Sequence, residues 1–300
     1  MDMTFRRTIR TAILAPAALL PPLALLTSVV IPALSGTSHA AAPRAVMQAI
    51  TVRASAAHFP AQIAAGMVSL TLVNDAQAPA SAGVARANPG ATQAAIAAAN
   101  AASNTPQGFI QLLHLLTFAG GPDSVPAGGK ETAILDLRTP GSYIVDVSVG
   151  RAQDHVTPFT VRPGSGQTLE LPAMALPITL KDMKFVGLPK TLAAGTITLK
   201  LANTGPSAHE MSLTRLDPGK TEQDVVNLFK GPQQGPNGPP QWAHDEGGLG
   251  MISAHQTAYL TVDLVPGNYV AICTMPDVRA GQHQGEPHAA EGMLTAFTVR

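Results

Sequence analysis

The sequence predicts an all-β protein: two Greek-key β-sandwich domains in tandem, behind an N-terminal signal peptide. Three observations point there. Gly and Pro number 27 and 26 of the 300 residues, while charged residues make up only 13% and aromatics 4%. Short runs of Val, Ile, Leu and Thr lie between these turn formers, a composition that favours strands over helices. The chain also repeats itself, and the repeat unit has the size of one sandwich domain.

The N-terminus reads as an export signal spanning residues 1–40. Arg6, Arg7 and Arg10 precede an uncharged apolar stretch, and Ser38-His39-Ala40 offers small residues at the usual cleavage positions. The stretch is long, so an uncleaved membrane anchor is the alternative. Pro16, Pro21, Pro22 and Pro32 within it disfavour a well-formed spanning helix. The expected location is periplasmic or secreted, with no stable membrane contact once the signal is cleaved. Without Arg6, Arg7, Arg10 and Asp2 the chain keeps 16 basic and 18 acidic residues. That balance implies no polyanion-binding surface and excludes nucleic acid as an expected partner.

The first copy covers residues 46–162, a linker 163–177, and the second copy 178–300. Residues 74–92 align with 203–221 without a gap, each segment ending in Pro-Gly-x-Thr. Leu135-Asp136-Leu137 before Pro140-Gly141-Ser142-Tyr143 parallels Val262-Asp263-Leu264 before Pro266-Gly267-Asn268-Tyr269. Both copies close on Phe-Thr-Val-Arg, ending at Arg162 and Arg300. Three matches in one order indicate duplication. Within the copies, Ile197, Leu199 and Leu201 alternate with polar residues, as do Leu260, Val262 and Leu264, so each strand buries one face. Thr221 with Asp224 reads as a capping box for a helix over 221–229, with a counterpart over 92–102. Residues 231–241, dense in Gly, Pro and Gln, read as an exposed loop.

Export alters the meaning of the single cysteine, Cys273, which has no intrachain partner. It reads as a buried passenger, an intermolecular link, a reactive group or a metal ligand. His209, His288 and Met293 accompany it in the second copy. Two imidazoles and a thiolate with a weak thioether suit copper cycling between its two oxidation states. His209 follows one strand, Cys273 ends the next-to-last, and Met293 begins the last. The bland readings are a core thiol for Cys273, core filler for Met293, and solvent-exposed loop histidines for His244, His255 and His283. Tyr143 and Tyr269 read as packing residues of the tyrosine-corner kind.

Here the chain resembles a known family. Asn203-Thr204-Gly205-Pro206-Ser207-Ala208-His209 is similar to the first-ligand segment of the plastocyanin-type cupredoxins. Gly267-Asn268-Tyr269-Val270-Ala271-Ile272-Cys273 resembles their penultimate strand, and His288-Ala289-Ala290-Glu291-Gly292-Met293 their closing His-x4-Met. The resemblance implies one copper ion in a blue type 1 site used for electron transfer, with His209, Cys273, His288 and Met293 as ligands. It also implies transient redox protein partners near an exposed histidine edge. The chain departs from the family in placing fourteen residues between Cys273 and His288 where plastocyanins have two, and in carrying Glu210 after His209. In the first copy Ala80 stands for His209, Val147 for Cys273 and His155 for Met293, so that copy is expected to be metal-free. A non-redox copper carrier, or a copper-free interaction module, is the alternative. An enzyme is not expected. The paired His-x-His motifs of multicopper oxidases, a Gly-x-Ser-x-Gly elbow, a phosphate loop and His-Glu-x-x-His are all missing, and histidines for the second copper of a nitrite reductase cannot be placed.

Overall fold

The computed structural model describes residues 48–56, 58–150, 155–164, 171–230, 240–279 and 281–300. The signal-peptide reading and most of the Gly/Pro-rich loop lie outside these residues. The first copy supplies β1 (Gln48–Arg53), β2 (Gln62–Ala64), β3 (Gly66–Val73), β4 (Ala80–Ala87), α1 (Gln93–Ala101), α2 (Pro106–Leu115), β5 (Leu116–Gly120), β6 (Lys130–Leu137), β7 (Gly141–Val149) and β8 (His155–Arg162). The second supplies β9 (Leu176–Lys181), β10 (Lys184–Val186), β11 (Thr191–Leu192), β12 (Gly195–Asn203), β13 (His209–Leu216), α3 (Glu222–Lys230), β14 (Ala243–Ile252), β15 (Thr257–Leu264), β16 (Gly267–Ile272) and β17 (Leu294–Val299). Because β9 begins at Leu176, the second copy starts two residues inside the stretch assigned to the linker.

Two sheets face each other. One runs β1-β3-β6-β15-β12-β9-β10 and the other β11-β17-β16-β13-β14-β5-β4-β7-β8-β2. Each sheet contains strands of both copies, so the halves are joined edge to edge and share one apolar core cluster. The chain crosses between sheets from β3 to β4, from β5 to β6 and from β6 to β7, as a Greek-key sandwich requires. Alternation does the burying: in β3, Val68, Leu70 and Leu72 are buried, and in β12, Leu199, Leu201 and Asn203 are. Side chains of that parity fill the space between the sheets.

The seam is symmetric. β6 and β15, equivalent strands of the two copies, pair antiparallel with Ala133 opposite Leu260, which occupy equivalent places in the repeat. In the other sheet Asp123 N donates to Gly248 O at 2.9 Å, and Gly250 N donates to Gly121 O at 2.8 Å. Gly121 and Gly248 have φ of 146° and 152°, and a Cβ would lie 1.9 Å from Ala82 O in one and 2.4 Å from Met211 O in the other. Only glycine allows that approach. Glu131 crosses the seam without a counterpart: its carboxylate accepts Asp123 N at 3.1 Å and Gly248 N at 2.8 Å.

Local expectations fare well. Thr221 and Asp224 cap α3 reciprocally, with Asp224 Oδ2 accepting Thr221 N at 2.9 Å and Thr221 Oγ1 accepting Asp224 N at 3.4 Å. Thr92 caps α1. The second helix, α2, is absent from the sequence reading, although Thr105 before Pro106 is a start signal: its hydroxyl accepts Gly108 N at 3.1 Å. Tyr143 Oη donates to Thr139 O at 2.8 Å, and Tyr269 Oη to Val265 O at 2.9 Å, the same corner in both copies. Trp242 packs on the apolar cluster around Val225 and Val270, with Lys220 Nζ 5.0 Å from its ring.

Candidate metal centre

Three segments bring the donors together. Asn203 shapes the first: its Nδ2 donates to Ser207 O at 2.8 Å and Ile252 O at 3.1 Å, while its Oδ1 accepts Gly205 N at 3.0 Å. This pins the turn that delivers His209 to the start of β13. Asn74 makes the same three bonds in the first copy, so Asn203 belongs to the scaffold. Cys273 follows β16, where the strand's alternation aims Tyr269, Ala271 and Cys273 into the core.

The described residues of the insertion after Cys273 fold back on themselves at its base. Pro276 and Pro287 form an antiparallel bridge, Asp277 N donates to Glu286 O at 2.7 Å, and Gly285 N donates to Asp277 O at 2.7 Å. Beyond the return, His288 N donates to Met275 O at 2.8 Å and Ala289 N to Cys273 O at 2.8 Å. Arg279 holds the excursion closed by binding Asp277 at 2.9 and 3.0 Å and Glu291 at 2.6 Å. The long insertion therefore leaves its ends together.

His209 Nδ1 and His288 Nδ1 stand 3.1 Å apart, with Cys273 Sγ 3.9 Å from the first and 3.4 Å from the second. The point equidistant from these atoms lies about 2.0 Å from each, the length of a metal–imidazole bond and slightly under the ~2.3 Å of a metal–thiolate bond. Two imidazole nitrogens and one sulfur at that spacing fit one soft or borderline ion, and copper in particular. Met293 is wholly buried beside them: its N donates to His288 O at 2.9 Å, and its O accepts Cys273 N at 3.1 Å. Cys273 Sγ also accepts Glu210 N at 3.5 Å. Glu210 itself is buried, and its carboxylate accepts Thr274 N at 3.0 Å and the Thr274 hydroxyl, tying β13 to the base of the excursion.

Burial sets the protonation of the centre. Desolvation pushes His288 down to about 3, helped by the like charge of His209. His209 is lowered as well, chiefly by desolvation, against an opposing pull from Asp182. Burial, then the charge of Glu210, pushes the Cys273 thiol far above its usual value. At neutral pH the imidazoles are neutral and ready to donate, and the thiol is protonated until an ion displaces the proton.

The other histidines stand elsewhere. His283 is exposed and pairs with Glu286 at 2.9 Å, His244 pairs with Asp217 at 2.8 Å, and His255 is exposed with φ of 62°. One expectation is overturned: the site has no exposed histidine edge. His288 is 1% exposed and His209 0%. In the first copy Ala80 and Val147 are buried at the equivalent places, and His155 is exposed at the start of β8. The sequence reading also passes over Asp182, whose Oδ1 lies 3.6 Å from His209 Nε2. A comparison of the two copies at that position would have found it.

The β-sandwich with a His-Cys-His triangle agrees with the cupredoxin resemblance read from the sequence. No family model matches the chain, and no curated protein does. Among solved structures it is similar to auracyanin B, at 19% identity and a TM-score of 0.29 over 44% of this chain and 93% of that one. It is also similar to dithionite-reduced auracyanin from Roseiflexus castenholzii, at 20% identity and a TM-score of 0.28 over 43% and 98%. A third is auracyanin A, a "blue" copper protein from Chloroflexus aurantiacus, at 19% identity and 0.27 over 41% and 99%. At such scores the overlap carries no functional argument; the geometry of the site does.

Proposed function

We propose that this is an exported single-copper electron carrier, periplasmic or secreted, with His209, Cys273, His288 and the axial Met293 as ligands. The observation that carries the reading is the triangle of Nδ1, Nδ1 and Sγ, closed to solvent and sized for one ion. A bound copper ion supplies a one-electron couple. The chain's own part is to hold two neutral imidazoles and one sulfur in place before the ion arrives, and to keep water out. A donor set fixed by β13, by β16 and by the backbone bonds at the base of the excursion limits rearrangement when the electron moves. The N-terminal basic-then-apolar pattern supports export. Redox partners would dock over the excursion, since neither His209 nor His288 reaches the surface.

Copper-loaded protein should absorb strongly in the visible through its copper–thiolate bond, and Cys273→Ala should abolish the band. Absence of copper binding to the intact protein would overturn the reading. The burial of His288 favours a second reading, a non-redox copper carrier, because a covered metal exchanges electrons slowly with partners. Slow electron exchange with small redox reagents, beside ready copper transfer to a competing protein, would select the carrier.

A further inference from the structure

The two rings of the site differ in what lies behind them. His209 Nε2 is shut off from solvent and has no hydrogen-bond partner. Facing it is Asp182 Oδ1, equally shut off, equally without a partner, and 3.6 Å away. A buried ring N–H and a buried carboxylate oxygen each lose free energy when unbonded, and a shift of about half an ångström would join them.

The surroundings are built to hold the carboxylate there. Asp182 occupies a two-residue turn between β9 and β10, with Lys181 paired to Lys184. Met183, the other turn residue, adopts a left-handed φ of 58°, a conformation that bulky side chains rarely take. Behind the carboxylate stands Gly205, where a Cβ would lie 2.4 Å from Asp182 Oδ1, so the turn carrying His209 leaves room for this oxygen only as glycine. The duplication adds an internal control. Counted without a gap from residues 52–59 onto 178–185, Asp182 stands where the first copy has Ala56. His209 likewise stands where that copy has Ala80. Imidazole and carboxylate are both replaced by alanine in the copy without the donor set.

We infer that Asp182 is a positioning residue for the metal centre, accepting the His209 Nε2 proton and so leaving Nδ1 free to donate to the ion. The inference deepens the copper reading and rests on it for its redox consequence. A carboxylate behind an imidazole fixes its tautomer and strengthens it as a donor. The added negative charge beside the site favours the more highly charged oxidised ion.

The test compares intact protein with Asp182→Ala and Asp182→Asn, each checked for a native circular dichroism spectrum. Nitrogen-15 NMR of the metal-free protein should find His209 as the Nε2–H tautomer, with a ring proton that exchanges slowly. That protection should vanish in Asp182→Ala and persist in Asp182→Asn, whose side-chain oxygen still accepts. With copper, Asp182→Ala should bind Cu(II) about 10–100-fold more weakly. Both variants should have a raised midpoint potential, because both remove the charge. An unchanged His209 tautomer and proton exchange in Asp182→Ala overturns the inference, as does an unchanged potential in both variants. If the intact protein binds no copper, the copper reading fails, and the metal-free NMR comparison still decides the role of Asp182.

Discussion

Cys273 Sγ lies 3.4 Å from His288 Nδ1 although fourteen residues separate them in the chain. The contact survives because the excursion zips shut at its base, through Ala289 N to Cys273 O and His288 N to Met275 O, before any of its tip matters. A sequence comparison that counts the spacing sees a broken motif. The backbone sees a closed loop whose ends never separate.

Arg279→Ala should loosen that closure. Its guanidinium is shared between Asp277, which is buried, and Glu291, and removing it leaves two carboxylates facing each other without their cation. Arg279 is itself partly exposed, so the expected loss is about 1–3 kcal/mol rather than the cost of a fully buried pair. Urea unfolding gives the loss, and limited proteolysis should cut the 274–287 excursion faster than in the intact protein. Equal cleavage rates would show that the backbone bonds at the base suffice alone.

Much of this architecture was legible beforehand, for physical reasons. Strands announce themselves by alternation, so Leu199 and Leu201 or Leu260 and Val262 reveal their buried face from one sequence. Cys273, His209 and His288 stand out because the first copy shows what the same scaffold looks like without them. The joining of the halves was not legible. Edge pairing between β6 and β15 is made by backbone groups, and Ala133 opposite Leu260 carries no mark of a partner. Asp182 hid for another reason: it sits in a hairpin turn, where an aspartate is ordinary. The burial of His288 was not legible either, because the Gly and Pro content of the excursion leaves its path open.

Because the seam is continuous in both sheets, the two copies should unfold together. Denaturant curves followed by circular dichroism and by Trp242 fluorescence, which reports the second copy alone, should coincide in one transition. Leu260→Ala, at a fully buried seam position, should lower stability by about 2–5 kcal/mol without splitting the transition. Two separated transitions would mean that the copies are independent domains in contact.

The tyrosine corners give a pH signature. Burial raises Tyr143 to about 12 and raises Tyr269 as well, while each phenol donates to a backbone carbonyl. An unfolded chain ionises these phenols near pH 10, before the folded one does. Their contribution is therefore whole below pH 10 and is lost as pH rises toward 12, on the order of 2 kcal/mol for Tyr143. Ultraviolet titration of a Tyr259→Phe variant, which leaves these two as the tyrosines of the chain, should show both tyrosinates appearing late and together with unfolding. Ionisation near pH 10 in a still-folded protein would contradict the buried corners.

Met293 separates a ligand from a core residue. It is completely buried, and its backbone is bonded to both Cys273 and His288, so either role accounts for its position. Met293→Leu nearly conserves volume and should cost less than about 1.5 kcal/mol, which keeps the fold intact for the comparison. If the thioether is the weak fourth donor, its loss favours the reduced ion and the midpoint potential rises. Met293→Gln offers a harder oxygen donor in its place, stabilises the oxidised ion and should move the potential the other way. Opposite shifts in the two variants are the outcome expected of a side chain that touches the metal. A core filler would leave the potential the same in both and change only the melting temperature.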